Sequence, residues 1–248
     1  MTSLRLAVVG AAGRMGQALT RAIAAAPGLT LAAAVEHEGH AALGTDAGEV
    51  AGVPRLGVAL RADLEAALED VQVLIDFAPG ATEATMRAAA ARGVAAVVGT
   101  TGLGQPGRVA VTLAAHKVPI VLAPNMSVGM NVLFALVAQA AQVLGPEYSL
   151  GVFEIHHKAK RDAPSGTALR IAEVLRETVG REVPTAALRG GDVVGEHTVH
   201  FLGLGERLEV THRAESRENF ARGALRAAQW VQGKAPALYD MQDVLGLR

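Results

Sequence analysis

There is no cysteine among the 248 residues. Disulfides, thiolate metal sites and thiol nucleophiles are therefore excluded together. Neither sign of charge is in excess: 23 Lys and Arg stand against 24 Asp and Glu, a formal net charge of -1. That balance gives no support to a nucleic-acid or membrane-surface role. No apolar run approaches the roughly 18 residues that a membrane span needs. The N-terminus, "MTSLRLAVVG", enters a strand-like run with no cleavable signal pattern, so the cytoplasm is the expected location. There is no internal repeat and no low-complexity linker. Half the residues are hydrophobic, enough for a substantial core in one large or two modest domains.

Short apolar runs alternate with Ala-rich helical patterns through the first half of the chain. Strands are predicted at 4–10, 29–36, 71–78, 94–100 and 119–125, and helices at 14–26, 82–93 and 105–117. That alternation implies βαβ units and a parallel sheet buried on both faces. Residues 37–57 carry several glycines and little periodicity and are expected to form a long loop. After Asn125 the pattern changes. A long apolar helix (128–145) leads to a strand (149–157), a helix from about Pro164 to Val179, a hairpin over 197–214 turning near Gly203 to Gly205, and a helix over 217–234. The reading is α/β in two domains: a nucleotide-type α/β half and then a smaller α+β half.

"VVGAAGRMG" ends a strand and opens a helix, with glycines at 10, 13 and 16. Missing Cβ atoms let backbone approach a pyrophosphate resting on the helix N-terminus. The spacing departs from the strict G-x-G-x-x-G form, but Glu36 lies at the end of the second predicted strand, 20 residues after Gly16. An acidic residue there grips the adenosine ribose hydroxyls. Glu36 would repel a 2′-phosphate and favours NADH, while Arg14 in the loop offsets part of that repulsion for NADPH. "GTTG" (99–102) and "APNMS" (123–127) follow strands too, at the carboxyl ends where ligands bind in such sheets.

"EIHHKAKRDAPSGTAL", Glu154 to Leu169, concentrates a different chemistry. His156 and His157 near a strand end point to opposite faces, which argues against a shared metal, and no H-x-x-x-H helix spacing is present. No metal site is expected. Lys158, Lys160 and Arg161 follow at once. Pro164 suits a first helical turn, and Ser165, Gly166 and Thr167 offer backbone N–H groups and two hydroxyls. A lysine, an imidazole and an open helix start make an anion pocket with a proton source.

The same stretch closely resembles the signature of the dihydrodipicolinate reductase family, now called 4-hydroxy-tetrahydrodipicolinate reductases. "VVGAAGRMG", "VVGTTG", "APNMSVGMN", "RGGDVVGEHTVHF", "GERLEVTHRA" and "LYDMQDVLGL" are similar to family segments in the same order. The resemblance implies a Rossmann-like dinucleotide-binding domain with a parallel sheet, residues 1–126 and 217–248, to which the last helix and tail return; a smaller α+β domain for substrate binding and oligomerisation, residues 127–216; and a homotetramer built through the 197–214 hairpin. It implies NADH or NADPH as cofactor and a small cyclic imine bearing two carboxylates as substrate, with no metal, no nucleic acid and no membrane partner. By the resemblance His156 is the proton donor and Lys160 its partner. His157, Ser165, Gly166 and Thr167 bind the substrate carboxylates. Gly10, Ala11, Ala12, Gly13, Arg14, Met15, Glu36, Gly99, Thr100, Thr101, Ala123, Pro124, Asn125 and Met126 contact the dinucleotide. Some family members have arginine where this chain has His37, which leaves the cofactor preference open.

Hydride and proton donors then belong to different domains, so closure is expected, with hinges near Asn125 to Gly129 and Ala214 to Asn219. One rival, a non-catalytic dinucleotide-sensing regulator, calls for a DNA-reading or partner-binding module, and no basic face or helix-turn-helix pattern is present. Another, a semialdehyde dehydrogenase, requires the cysteine nucleophile that is absent.

Overall fold

The structure, a computed structural model, describes residues 3–247. It divides into two compact units, residues 3–127 with Glu218–Gly246, and Val128–Arg217. The chain passes from one to the other at Ser127 and again at Arg217.

Unit 1 runs β1 (Leu4–Val9), α1 (Arg14–Ala25), β2 (Leu29–Val35), α2 (Ala47–Ala51), β3 (Leu60–Arg61), α3 (Leu64–Ala67), β4 (Val73–Asp76), α4 (Thr82–Arg92), β5 (Ala95–Val98), α5 (Gln105–Ala115) and β6 (Ile120–Leu122). Unit 2 contributes α6 (Val128–Leu144), β7 (Ser149–His156), α7 (Gly166–Val179), β8 (Thr185–Arg189), β9 (Gly195–Leu202) and β10 (Arg207–Ala214). The chain then re-enters unit 1 as α8 (Glu218–Val231), β11 (Leu238–Tyr239) and α9 (Met241–Leu245).

The seven strands of unit 1 lie in the order β11-β6-β5-β4-β1-β2-β3, and every pair is parallel. Both faces are covered, which explains why these strands read as apolar runs rather than alternations. Leu6, Val8, Ile75 and Val97 pack against α1 and α8. Ala7, Val9, Leu74 and Val98 point the other way, against α4 and α5. The chain winds outward from β1 to β3, then returns beside β1 as β4, so the topological switch lies between β1 and β4, where ligands of such sheets bind.

In unit 2 the order is β10-β9-β7-β8, antiparallel except for the parallel β7–β8 pair. One face carries Val152, Val199 and Phe201 into a core with α6 and α7.

Three expectations need correction. Residues 37–57 are not one loop. Asp46 caps α2, and its carboxylate collects the N–H groups of Gly48 (2.8 Å), Leu56 (3.0 Å), Gly57 (2.7 Å) and Val58 (3.1 Å). One buried acid thus organises a segment whose apolar periodicity is weak. Pro164 lies outside α7: Ser165 is the N-cap and the helix begins at Gly166. Finally, Val128–Glu147, α6 with its closing 3₁₀ turn, has 20 residues of mean hydropathy 1.6, long and apolar enough by length and composition to cross a membrane. Asn131, Gln139 and Gln142 interrupt the run in the sequence, and the mean nevertheless stays strongly apolar. In the fold Met130, Leu133, Phe134, Val137 and Ala141 of this helix are core residues of unit 2.

Candidate active site

In unit 1 the turn after β1 is shaped by glycine. Gly10 has φ +73°, a left-handed conformation. Its N–H and that of Ala11 donate to Val35 O at 2.9 and 3.1 Å, fixing the turn to β2. Gly16 lets α1 sit on this turn, since a Cβ there would lie 2.2 Å from Gly10 O and 2.6 Å from Ala11 Cα. The N-cap of α1 is Gly13, which supplies no side-chain cap, and no acidic residue stands in the first turn. An uncapped, positively polarised helix end beside exposed Gly13 and Arg14, with Ala12 and Met15 half-buried, fits a diphosphate.

Glu36 follows β2 and folds back on that turn. Its Oε2 accepts the Ala12 N–H at 3.1 Å, and its Oε1 the His37 N–H at 3.1 Å and His37 Nδ1 at 2.9 Å. Burial pushes its pKa up, but the His37 and Ala12 bonds outweigh this and hold it below the ordinary carboxylate value. A charged acid thus stands after β2, bonded to the turn that follows β1.

Gly99, Thr100 and Thr101 follow β5; Ala123, Pro124, Asn125 and Met126 follow β6. Parallel pairing places these loops and the β1 turn at one edge of the sheet. Ala123 N–H donates to Val98 O at 3.1 Å, Ser127 N–H to Asn125 Oδ1 at 2.9 Å, and Met126 is buried. Thr100 and Thr101 line a 260 Å³ hollow with Pro79, Gly80 and Thr82. Asp76, at the end of β4, went unnoticed in the sequence. It is fully buried, accepts the Ala78 N–H and the Thr85 hydroxyl (both 2.8 Å) and holds the Thr100 hydroxyl at 3.4 Å. Burial raises its pKa against those bonds.

In unit 2, Glu154 and His156 lie two apart on β7, on one face of the strand. Glu154 is fully buried. Its carboxylate takes Arg189 Nη1 on Oε2 (2.9 Å) and Arg189 Nη2 on Oε1 (2.7 Å), the Ser165 N–H on Oε1 (3.0 Å), and His156 Nδ1 on Oε2. The parallel register sets His156 beside Arg189. Burial alone pushes the Glu154 carboxyl up; Arg189, His156 and Ser165 together hold it below its usual value. For His156 burial lowers the pKa, Glu154 pulls it back up, and Lys160 and Arg189 lower it again, with a net depression. His197 on β9 is buried with its ring centroid 5.1 Å from that of His156, and burial, helped by His156, pushes it down to about 3. It is neutral at physiological pH.

Ser165 is 1% exposed and its polar atoms are spent internally. The hydroxyl accepts the Ala168 N–H at 3.2 Å and meets His197 Nε2 at 3.2 Å. Gly166 is exposed and Thr167 half-buried at the same helix end. His157 lies just past β7, half-buried. Lys160 Nζ reaches Asp162 Oδ1 at 2.8 Å. Burial pushes the Asp162 carboxyl up, but Lys160 and nearby backbone N–H groups outweigh it and hold it below its usual value. An internal carboxylate thus already sits on the lysine of the expected anion pocket.

Glu154, Arg189 and His197 join His156 in this cluster and are not among the site residues expected from the sequence. The signal for Glu154 was present: two positions before His156 on a strand means the same face. Arg189 and His197 reach the cluster only through strand pairing, which no local motif announces.

The family model described as dihydrodipicolinate reductase, N-terminus, matches residues 4–126, and its C-terminal counterpart matches residues 129–245. The chain belongs to the dihydrodipicolinate reductase family. A 4-hydroxy-tetrahydrodipicolinate reductase of Anaeromyxobacter dehalogenans (strain 2CP-C) is 54% identical over 98% of each chain. The protein of that name from Geobacter metallireducens is 47% identical over 99% of this chain and 100% of its own. Among solved structures, a dipicolinate-bound dihydrodipicolinate reductase from Paenisporosarcina sp. TG-14 superposes with a TM-score of 0.80 at 22% identity, covering 98% of this chain and 99% of that one. At that identity the likeness speaks for the two-sheet fold.

Proposed function

We propose that the chain reduces 4-hydroxy-tetrahydrodipicolinate to tetrahydrodipicolinate, with loss of water and with NADH or NADPH as reductant, in the diaminopimelate route to lysine. The observation that carries this reading is the 54% identity, over nearly the whole of both chains, to a relative bearing that enzyme's name.

A bound reduced nicotinamide supplies the hydride. The uncapped start of α1, with Gly10 to Met15, receives the diphosphate. Glu36 takes the ribose hydroxyls, and Gly99 to Thr101 and Ala123 to Met126 border the reactive end. Glu36 disfavours a 2′-phosphate and Arg14 offsets it, so both cofactors serve, NADH at least as well.

In unit 2, Lys160, His157 and the α7 start at Gly166 and Thr167 hold the substrate's two carboxylates, and one of these replaces Asp162 on Lys160. Ser165 acts beneath them as the cap of α7. His156 delivers the proton that the carbon next to the hydride acceptor needs. Its pKa is depressed in the free protein; a dianion beside it favours the charged ring, so substrate binding itself arms the acid.

Phe153, Ile155, Ala186, Leu188 and Leu202 alternate with the core-facing positions of the unit 2 sheet, and none belongs to its core. That second apolar face supports a homotetramer built sheet on sheet, working in the cytoplasm.

The test couples the purified protein to the synthase that makes the imine and follows NADH and NADPH oxidation separately. Turnover with both is expected, and His156→Ala should lower kcat by about 10²–10⁴ with cofactor affinity unchanged. Unaltered turnover in that variant would remove His156 from the role.

A further inference from the structure

Glu154 is surrounded only by donors. Each carboxylate oxygen accepts from one Arg189 nitrogen; Oε1 also takes the Ser165 N–H and Oε2 also meets His156 Nδ1. Neither a guanidinium nor a backbone N–H can accept, and an ionised carboxylate cannot donate. Nδ1 must therefore carry a hydrogen. We propose that Glu154 is a positioning residue for the reduction: it locks the His156 imidazole with its proton on Nδ1, so that Nε2 alone carries and delivers the proton to substrate carbon. The proposal rests on the functional reading above.

The other side of the ring agrees with this assignment. A Cβ on Gly195 would lie 2.9 Å from His156 Nε2, so any side chain there would press on that nitrogen and glycine leaves the room beside it. In the step, the Nε2–H bond breaks, its proton forms the new C–H bond, and the electron pair stays on Nε2. The ring is left neutral with Nδ1 still protonated toward Glu154, and water restores the proton on Nε2. No tautomer change is needed between turnovers.

Glutamine cannot substitute, although it has the same shape. An amide NH₂ in place of Oε1 would face Arg189 and the Ser165 N–H, donor against donor. In place of Oε2 it would face Arg189 and His156, and there the imidazole alone can adapt, by moving its proton to Nε2 and accepting on Nδ1. The charged groups facing His156 from the surrounding elements are Glu154 on its own strand, Lys160 after it and Arg189 on β8. His197 on β9 is neutral, and His212 on β10 acts on His197. Glu154 is the single negative group among these five.

The experiment has three arms. In wild-type protein labelled with ¹⁵N-histidine and free of substrate, neutral His156 should show a protonated Nδ1 and a bare Nε2; the reverse pattern would overturn the proposal while leaving the functional reading intact. Glu154→Gln should lose about 10²-fold in kcat/KM at neutral pH, with the pH above which activity declines moved downward, because the negative group that favours the imidazolium is gone. Loss of activity with an unmoved pH profile would make Glu154 merely structural. Should that variant fail to fold, Gly195→Ala carries the test. Its methyl contests the Nε2 side, so kcat should drop while NADH affinity holds; unchanged kcat would overturn the proposal. If wild-type protein oxidises neither cofactor with the imine, the functional reading falls and the proposal with it, whatever the tautomer.

Discussion

The β1 turn of unit 1 and the Glu154 cluster of unit 2 both sit at strand ends, yet they are built from opposite materials. The turn is made of backbone and of missing side chains: Gly10, Gly16 and an uncapped helix end. The cluster is made of charge taken out of water: Glu154 fully buried, with Arg189, His156 and the Ser165 N–H closing around it. The first can receive a diphosphate by shape and dipole, and nothing in that turn need change protonation state. The second stores an electrostatic arrangement that folding has already set in place before substrate arrives. It is therefore the part that should respond to pH and to the loss of a single charge.

The sharpest way to break this contrast is Arg189→Met. Removing one partner of a buried ion pair leaves Glu154 uncompensated, and stability should fall by about 3–5 kcal/mol; a denaturant midpoint near wild type would mean the cluster is less dry than described. Gly16→Ala probes the other region by volume alone. Its methyl would meet Gly10 O and Ala11 Cα, so overpacking should cost about 1–3 kcal/mol, with KM for the cofactor rising and kcat at saturation nearly held. A fall in kcat alone would contradict the division of labour between the two regions.

Acid should act on the cluster next. His197 is pushed to about 3 by burial and by His156, against about 6.5 in an unfolded chain. The unfolded state then binds the extra proton, so stability is complete above that unfolded value and is lost as pH falls from there toward 3. At pH 5.5 the loss from this residue is about 1.4 kcal/mol, with His156 and His212 adding in the same direction. His197→Gln should flatten that part of the stability–pH curve, and an unchanged slope would show that His197 is not the group responsible. The smallest effect is expected at exposed His37. His37→Arg places a fixed cation beside Glu36 and should raise the NADPH-to-NADH ratio of kcat/KM roughly 1.5- to 5-fold; a fall would reverse the charge argument.

The two regions also differ in what could be read without coordinates. The turn announces itself locally, because the strand, the glycines and the helix are contiguous in Leu4–Ala25, and Glu36 follows one strand later. Strands β1, β2, β4, β5 and β6 were readable for the same reason, each being a short, largely buried apolar run. The cluster is assembled across 44 positions, from Glu154 to His197, by β7 pairing with β8 and β9 in one register. β8 carries only Leu188 as a large apolar residue among Thr185, Ala186, Ala187 and Arg189, so no periodicity marks it as a strand. Without that strand Arg189 has no place in the site. The small elements β3, α3, β11 and α9 escaped for a related reason: two to five residues are too few for a period to show.

The measurement that bears most directly on the central claim is a crystal structure of this protein with pyridine-2,6-dicarboxylate and a reduced nicotinamide dinucleotide. The account predicts one carboxylate on Lys160 and the Gly166–Thr167 helix start in place of Asp162, and a ring carbon facing His156 Nε2. A dicarboxylate bound away from these groups, with Asp162 still on Lys160, would contradict it.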